Sequence, residues 1–144
     1  MSVKIDKCAP CDFPILARIE KENMENPWTE AMIKEANESG DYLFLKAISG
    51  DKIVGYLSAR LCIDECELNN IAVDRESRRN GVGTLLLSAL ESECKKGAFA
   101  VIFLEVNEKN TVARKLYLKN GFSEMSRRKR YYGDDDAIIL TKKL

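Results

Sequence analysis

The stretch Asn70-Ile71-Ala72-Val73-Asp74-Arg75-Glu76-Ser77-Arg78-Arg79-Asn80-Gly81-Val82-Gly83-Thr84 decides the fold. An apolar strand passes through a polar turn spaced R-x-x-G-x-G and opens directly into a segment, Gly83–Lys96, that reads as a helix. Its apolar residues Leu86, Leu90 and Cys94 share a face with Val82. A strand that feeds a helix through such a turn builds an anion cradle. The first backbone N–H groups of a helix have no intrahelical partner and stand at the positive end of its dipole. The amides of Arg79, Asn80, Gly81, Val82, Gly83 and Thr84 are therefore candidate phosphate ligands, and the two glycines permit close approach and unusual φ values. The turn is not a P-loop, since no Gly-Lys-Ser/Thr follows, and Leu86 stands where a dinucleotide fingerprint has its third glycine. Taken alone, the hexapeptide fits a plain glycine turn with a solvated arginine pair equally well.

Outward from this stretch, strands and helices alternate. Ala100–Val106 (AVIFLEV) reads as a strand covered on both faces, and Val112–Asn120 as a helix stopped at Gly121. Phe122–Tyr132 and Ala137–Leu140 read as strands joined by a turn at Gly133–Asp136. Upstream, Ser2–Asp6 reads as a short strand, and a helix follows Asp12 to about Lys21. Asn26-Pro27-Trp28-Thr29 breaks it, with Thr29 placed to cap a second helix that runs to about Ser39 and stops at Gly40. Tyr42–Ile48, Ile53–Ile63 and Glu67–Val73 follow as strands. This order predicts an α/β fold with a mixed sheet, in a single domain over residues 1–144.

Composition removes several chemistries. The 144 residues contain no histidine, which excludes Ser-His-Asp and Cys-His catalysis and imidazole metal sites. Lys+Arg and Asp+Glu number 23 each, so the chain lacks the positive excess of a general polyanion binder, and no specific nucleic-acid binding is expected. Five cysteines include a C-x-x-C pair, Cys8 and Cys11, and a C-x-x-x-C pair, Cys62 and Cys66. Four thiolates would suffice for zinc, but the first pair falls at a strand-to-helix junction without a knuckle glycine. Half-buried packing is the better reading, and no metal is expected. The N-terminal MSVKIDKCAP lacks the apolar core of a signal peptide, and no run approaches the roughly 18 apolar residues of a membrane span. A soluble, cytoplasmic protein is expected.

A second motif lies in Leu104-Glu105-Val106-Asn107-Glu108-Lys109-Asn110, followed by Ala113-x-x-Leu116-Tyr117-x-x-x-Gly121-Phe122. Glu105 interrupts an apolar strand, where burial would raise its pKa towards that of a useful base, unless it simply pairs with a nearby cation. Tyr117 fits either a site residue or ordinary helix packing, and Asn110 either a ligand contact or a helix cap.

These residues carry a resemblance. I-A-V followed by R-x-x-G-x-G, then N-x-x-A-x-x-L-Y-x-x-x-G-F, is similar to the GNAT (Gcn5-related) N-acetyltransferase family over roughly Leu68–Phe122. Asn26-Pro27-Trp28-Thr29, Leu104-Glu105-Val106, Arg127-Arg128, Tyr131-Tyr132 and Asp136-Ala137-Ile138-Ile139 extend it to the bacterial branch that acetylates the N-terminal alanine of a ribosomal protein. The resemblance implies acetyl-CoA as co-substrate, held between two splayed parallel strands in a mostly antiparallel sheet with flanking helices. It implies backbone contacts from Ile71, Ala72 and Val73, a pyrophosphate cradle at Arg79–Thr84, and a contact from Asn110. It implies Glu105 as general base and Tyr117 as general acid. Trp28, Tyr131 and Tyr132 would line the groove of the acceptor, a protein N-terminus, and the chain would be a monomer or weak dimer. Asn69 departs from the branch, which is often apolar there. Arg127-Arg128-Lys129-Arg130 reads as a strand with solvated charges or as a contact for RNA or an acidic segment. Lysine or small-amine acetylation, and a non-catalytic CoA- or ribosome-binding module, stay open.

Overall fold

The structure is a computed structural model that describes residues 2–144. Strands β1 (Lys4–Lys7), β2 (Tyr42–Ser49), β3 (Lys52–Cys62), β4 (Glu65–Val73), β5 (Val101–Asn107), β6 (Ser123–Tyr132) and β7 (Asp135–Lys143) form one sheet in the order β1-β2-β3-β4-β5-β7-β6. Helices α1 (Phe13–Asn23) and α2 (Glu30–Glu38) cover one face around Phe13, Leu16, Ile19 and Ile33. Helices α3 (Val82–Lys96) and α4 (Thr111–Lys119) cover the other, where Leu86, Leu90 and Tyr117 meet Ile102, Leu104 and Ile138. The caps expected from sequence form: Thr29 Oγ1 and Asn110 Oδ1 accept from Met32 N and Ala113 N, each at 3.2 Å.

Every strand pair is antiparallel except β4–β5, and that pair is short. It holds register only at Glu65↔Val101, Cys66↔Ile102 and Glu67↔Phe103. Beyond Glu67 the strands part, β4 staying with β3 to Val73 and β5 with β7 to Asn107. The parting coincides with a β-bulge. Ser58 pairs with Asn70 and Ala59 with Leu68, which leaves Asn69 as an extra residue on β4. A bulge bends its strand and increases its twist, turning β4 away from its neighbour.

Three sequence expectations are corrected. β5 is not covered on both faces: Ile102, Leu104 and Val106 are buried, Val101 and Phe103 half-buried, and Glu105 exposed. Its apolar run serves the α3 side, while the odd positions face a more open surface. The cysteines divide three ways, with Cys66 and Cys94 buried, Cys8 half-buried, and Cys11 and Cys62 exposed. The last turn is tighter than expected, because β7 already begins at Asp135. Among the described residues no helix is long and apolar enough to cross a membrane, and no three His, Cys, Asp or Glu side chains gather where they could hold a metal.

A buried carboxyl ties α1 to the bulged strand. Glu20 has no exposed surface, and its Oε1 accepts from Asn70 Nδ2 at 2.9 Å and from the Trp28 amide at 3.0 Å. Oε2 has no hydrogen-bond partner among the described residues, nor does the adjacent, fully buried Tyr56 hydroxyl. Burial pushes the Glu20 carboxyl above the ordinary carboxylate range, against the opposing effect of the Trp28 N–H. Burial, and then the charge of Glu20, pushes the Tyr56 hydroxyl up as well.

Between the usual glutamate value and the raised one, the folded chain keeps a proton that the unfolded chain has released, so stability falls as pH rises through that window. Glu20→Gln keeps an oxygen for both donors and does not titrate. Its thermal midpoint relative to the parent is expected to climb as pH is raised from about 4 to neutrality, by about 2–4 °C per kcal/mol of relieved cost. Calorimetry across that range measures it, and a pH-independent difference would contradict it.

Candidate active site

The diverging ends of β4 and β5 open a cleft of about 820 Å³, within the size range of small-molecule sites. Beyond Glu67 the edge of β4 that faces away from β3 has no strand partner, so its peptide groups are available to an extended ligand. Ile71, Ala72 and Val73 line the cleft from this edge.

At one end the cleft meets the head of α3. The turn before it carries two left-handed residues, Arg79 at φ +65° and Gly81 at φ +77°, which curl the backbone. The first turn of α3 is closed by Leu85 N–H donating to the Gly81 carbonyl at 3.0 Å. The N–H groups of Val82, Gly83 and Thr84 are left at the open end of a 15-residue helix. Arg79, Gly81, Val82, Gly83 and Thr84 all line the cleft. Gly83 has a packing role besides: a Cβ there would stand 3.0 Å from Leu116 Cδ2, so its absence lets α4 close on α3. Asn80 does not line the cleft; its Nδ2 lies 3.4 Å from the Ser77 carbonyl and 3.3 Å from that of Arg78, bracing the turn. A curled, amide-rich turn at a helix head fits a pyrophosphate, and the long cleft beside an unpaired strand edge fits the arm of coenzyme A.

Glu105, Asn110 and Tyr117 come to the same cleft from β5, the cap of α4 and its body. Tyr117 is only 7% exposed, its ring lies 5.8 Å from that of Phe122, and burial pushes its hydroxyl up to about 12. Glu105 corrects the expectation of a buried carboxylate. Its side chain retains 29% exposure, Arg128 lies 3.7 Å from Oε1, and the Tyr132 hydroxyl donates to Oε2 at 3.1 Å. Burial, and then the bond to Glu105, pushes the Tyr132 hydroxyl up to about 12, so it keeps the proton it shares. The cation pairing that sequence left open is thus present, beside a phenol it did not suggest.

None of the expected acceptor-side residues Trp28, Tyr131 and Tyr132 lines the cleft itself, and they stand differently towards it. Tyr132 touches Glu105, and Tyr131 packs edge-on against Tyr132 at 5.2 Å. Trp28 does not line the cleft; it is half-buried, with its ring edge-on to Tyr42 at 5.9 Å and its amide on Glu20. The basic run on β6 is exposed throughout, and two of its four cations are paired: Arg127 with Glu124 and Asp136, Arg128 with Glu105 and over the Tyr131 ring. Residues not anticipated also line the cleft, among them Asn23, Met24, Asn70 and Arg78. Arg78 ties the end of β4 to the end of α1, donating to the Val73 carbonyl at 3.1 Å and to Asn23 Oδ1. Asn69, at the bulge, lines it too, and its polarity in an apolar strand was the visible signal.

Comparison with known proteins identifies the fold and the family. The chain is 36% identical over 141 residues to the "[Ribosomal protein bS18]-alanine N-acetyltransferase" of Haemophilus influenzae, covering 94% of this chain and 95% of that protein. It superposes on the crystal structure of the Escherichia coli ribosomal-protein-alanine N-acetyltransferase with a TM-score of 0.90 and 31% identity, over 99% of this chain and 94% of the other. PaiA N-acetyltransferase of Thermoplasma acidophilum, solved with coenzyme A, shares the fold at a TM-score of 0.83 and 22% identity, over 100% of both chains. Residues 12–122 match the sequence model of the Acetyltransferase (GNAT) family. The chain therefore belongs to the GNAT family and is an acetyl-CoA-dependent N-acetyltransferase.

Proposed function

We propose that the protein acetylates the N-terminal α-amine of a ribosomal protein beginning with alanine, the counterpart of bS18. The observation that carries this reading is near-full-length identity of 36% to an enzyme of that name. The chemistry of the cleft is consistent with it. An α-amine, with a pKa near 8, is already about a tenth neutral at pH 7, whereas a lysine is neutral only about once in several thousand. A modest carboxylate base suffices for the former.

Acetyl-CoA, when bound, supplies a thioester-activated acetyl group. The amides from Arg79 to Thr84 hold its pyrophosphate, the free edge of β4 at Ile71 and Val73 takes up the pantetheine by backbone hydrogen bonds, and Asn110 adds a contact. Glu105 stands at the exposed side of the cleft, where it takes a proton from the incoming amine, directly or through water. Tyr132 and Arg128 hold that carboxylate in place. Tyr117, whose hydroxyl is pushed up to about 12, stays protonated at neutral pH and gives its proton to the departing sulfur. Tyr131 and Tyr132 flank the path of the peptide, and Trp28 shapes it from behind through the 24–28 loop. Protein synthesis in the cytoplasm supplies such an acceptor.

An Ala-starting ribosomal peptide, offered beside the same peptide with a blocked N-terminus and an internal lysine, decides the acceptor by mass spectrometry. Acetyl confined to the free α-amine is the expected result, and transfer to the blocked peptide would move the acceptor to lysine. Tyr117→Phe is expected to lower kcat about a hundredfold with the KM for acetyl-CoA nearly unchanged. An undiminished kcat would remove it as the acid. Glu105→Gln retains an oxygen for the Tyr132 hydroxyl but cannot take a proton, so kcat is expected to fall about ten- to a hundredfold at an unchanged thermal midpoint. Activity equal to the parent's would place the base elsewhere.

A further inference from the structure

Among the described residues Glu20 is the one acidic side chain with no exposed surface at all. Its neighbours along α1, Leu16 and Ile19, are ordinary core residues, and the helix would pack as well with an apolar group at this position. A carboxyl is costly there unless its hydrogen bonds are made. Both bonds that it makes run away from the core. One goes to the amide of Trp28 in the segment joining α1 to α2, whose first residues, Asn23 and Met24, rim the cleft. The other goes to Asn70, which lines the cleft one residue beyond the bulge. The two donors share a single oxygen, so a small movement of α1 shifts both together.

We infer that Glu20 is a positioning residue for the acceptor, setting the 24–28 segment and the Asn70 amide as one unit. With Nδ2 committed to Glu20, Oδ1 is the Asn70 atom left to accept an N–H of the incoming peptide. The donor half of the cleft is built from the head of α3, from α4 and from the β4 backbone at Ile71 and Val73, none of which bonds to this carboxyl. The inference rests on the protein-N-terminus reading for the identity of the acceptor, but not for the positioning itself.

The chain's single tryptophan is Trp28, so its fluorescence reports the segment without any substrate. Glu20→Met removes both bonds while filling the space; Glu20→Gln restores an oxygen for both. For Glu20→Met, acrylamide quenching of Trp28 is expected to rise about twofold, and the KM for the acceptor peptide about tenfold, with the KM for acetyl-CoA within about twofold, as the loss of one or two hydrogen bonds at the acceptor end predicts. Glu20→Gln is expected to return all three to the parent values. Asn70→Leu cuts one bond only and serves if Glu20→Met does not fold; it is expected to raise the acceptor KM alone. Equal rises in both KM values, unchanged quenching, or a Glu20→Gln variant as impaired as Glu20→Met would overturn the assignment. Should the parent acetylate no peptide, the acceptor reading falls, and the quenching of the Met and Gln variants still decides the positioning.

Discussion

Strands β4 and β5 run side by side for three residue pairs and then separate, and the rest of the molecule is arranged around that separation. Peptide groups cannot be left without partners inside a protein, so two strands that stop pairing must each be held by something else. Here β3 holds β4 and β7 holds β5, each to its end. The opening between them is therefore stable, with one edge of β4 free for a ligand that can imitate a strand. The bulge at Asn69 supplies the bend, and α3 begins where β4 stops, so a strand-like ligand meets a helix head at its far end.

On the proposed function, the two halves of the site differ in how they are made. The donor half is backbone: a curled turn, the first amides of a helix and a strand edge. It tolerates changes of side chain except where a Cβ would collide, as at Gly83 against Leu116. The acceptor half is side chain: Glu105 held by Tyr132 and Arg128, and Asn70 held by Glu20. Side chains can be exchanged in the second while the backbone of the first is kept.

Much of this was legible in the amino-acid order because it is local. Helix caps at Thr29 and Asn110, the glycine stops and the R-x-x-G-x-G turn are each decided within a few residues, and each formed where its chemistry placed it. What was not legible depends on partners distant in the chain. A bulge is a mismatch between two strands, so Asn69 alone announces only an odd polar residue. Glu105 looked buried because AVIFLEV offers no period, and only the register with β7 shows that the odd positions face the open side. Nothing local marks Glu20 as a buried, bonded carboxyl, because its donors lie 8 and 50 residues away.

The exposed cations of β6 have a bearing on association. This strand ends the sheet, and every one of its side chains is exposed. With equal numbers of acidic and basic residues the chain has no net charge to keep copies apart. A long flat edge under those conditions is a template on which a foreign strand can dock. Four consecutive cations, a left-handed residue at Arg130 and a break in register between Arg128 and Tyr132 make it a poor one. The run that reads from sequence as a strand with solvated charges, or as a contact for RNA or an acidic segment, makes this edge a poor template for the chain's own copies.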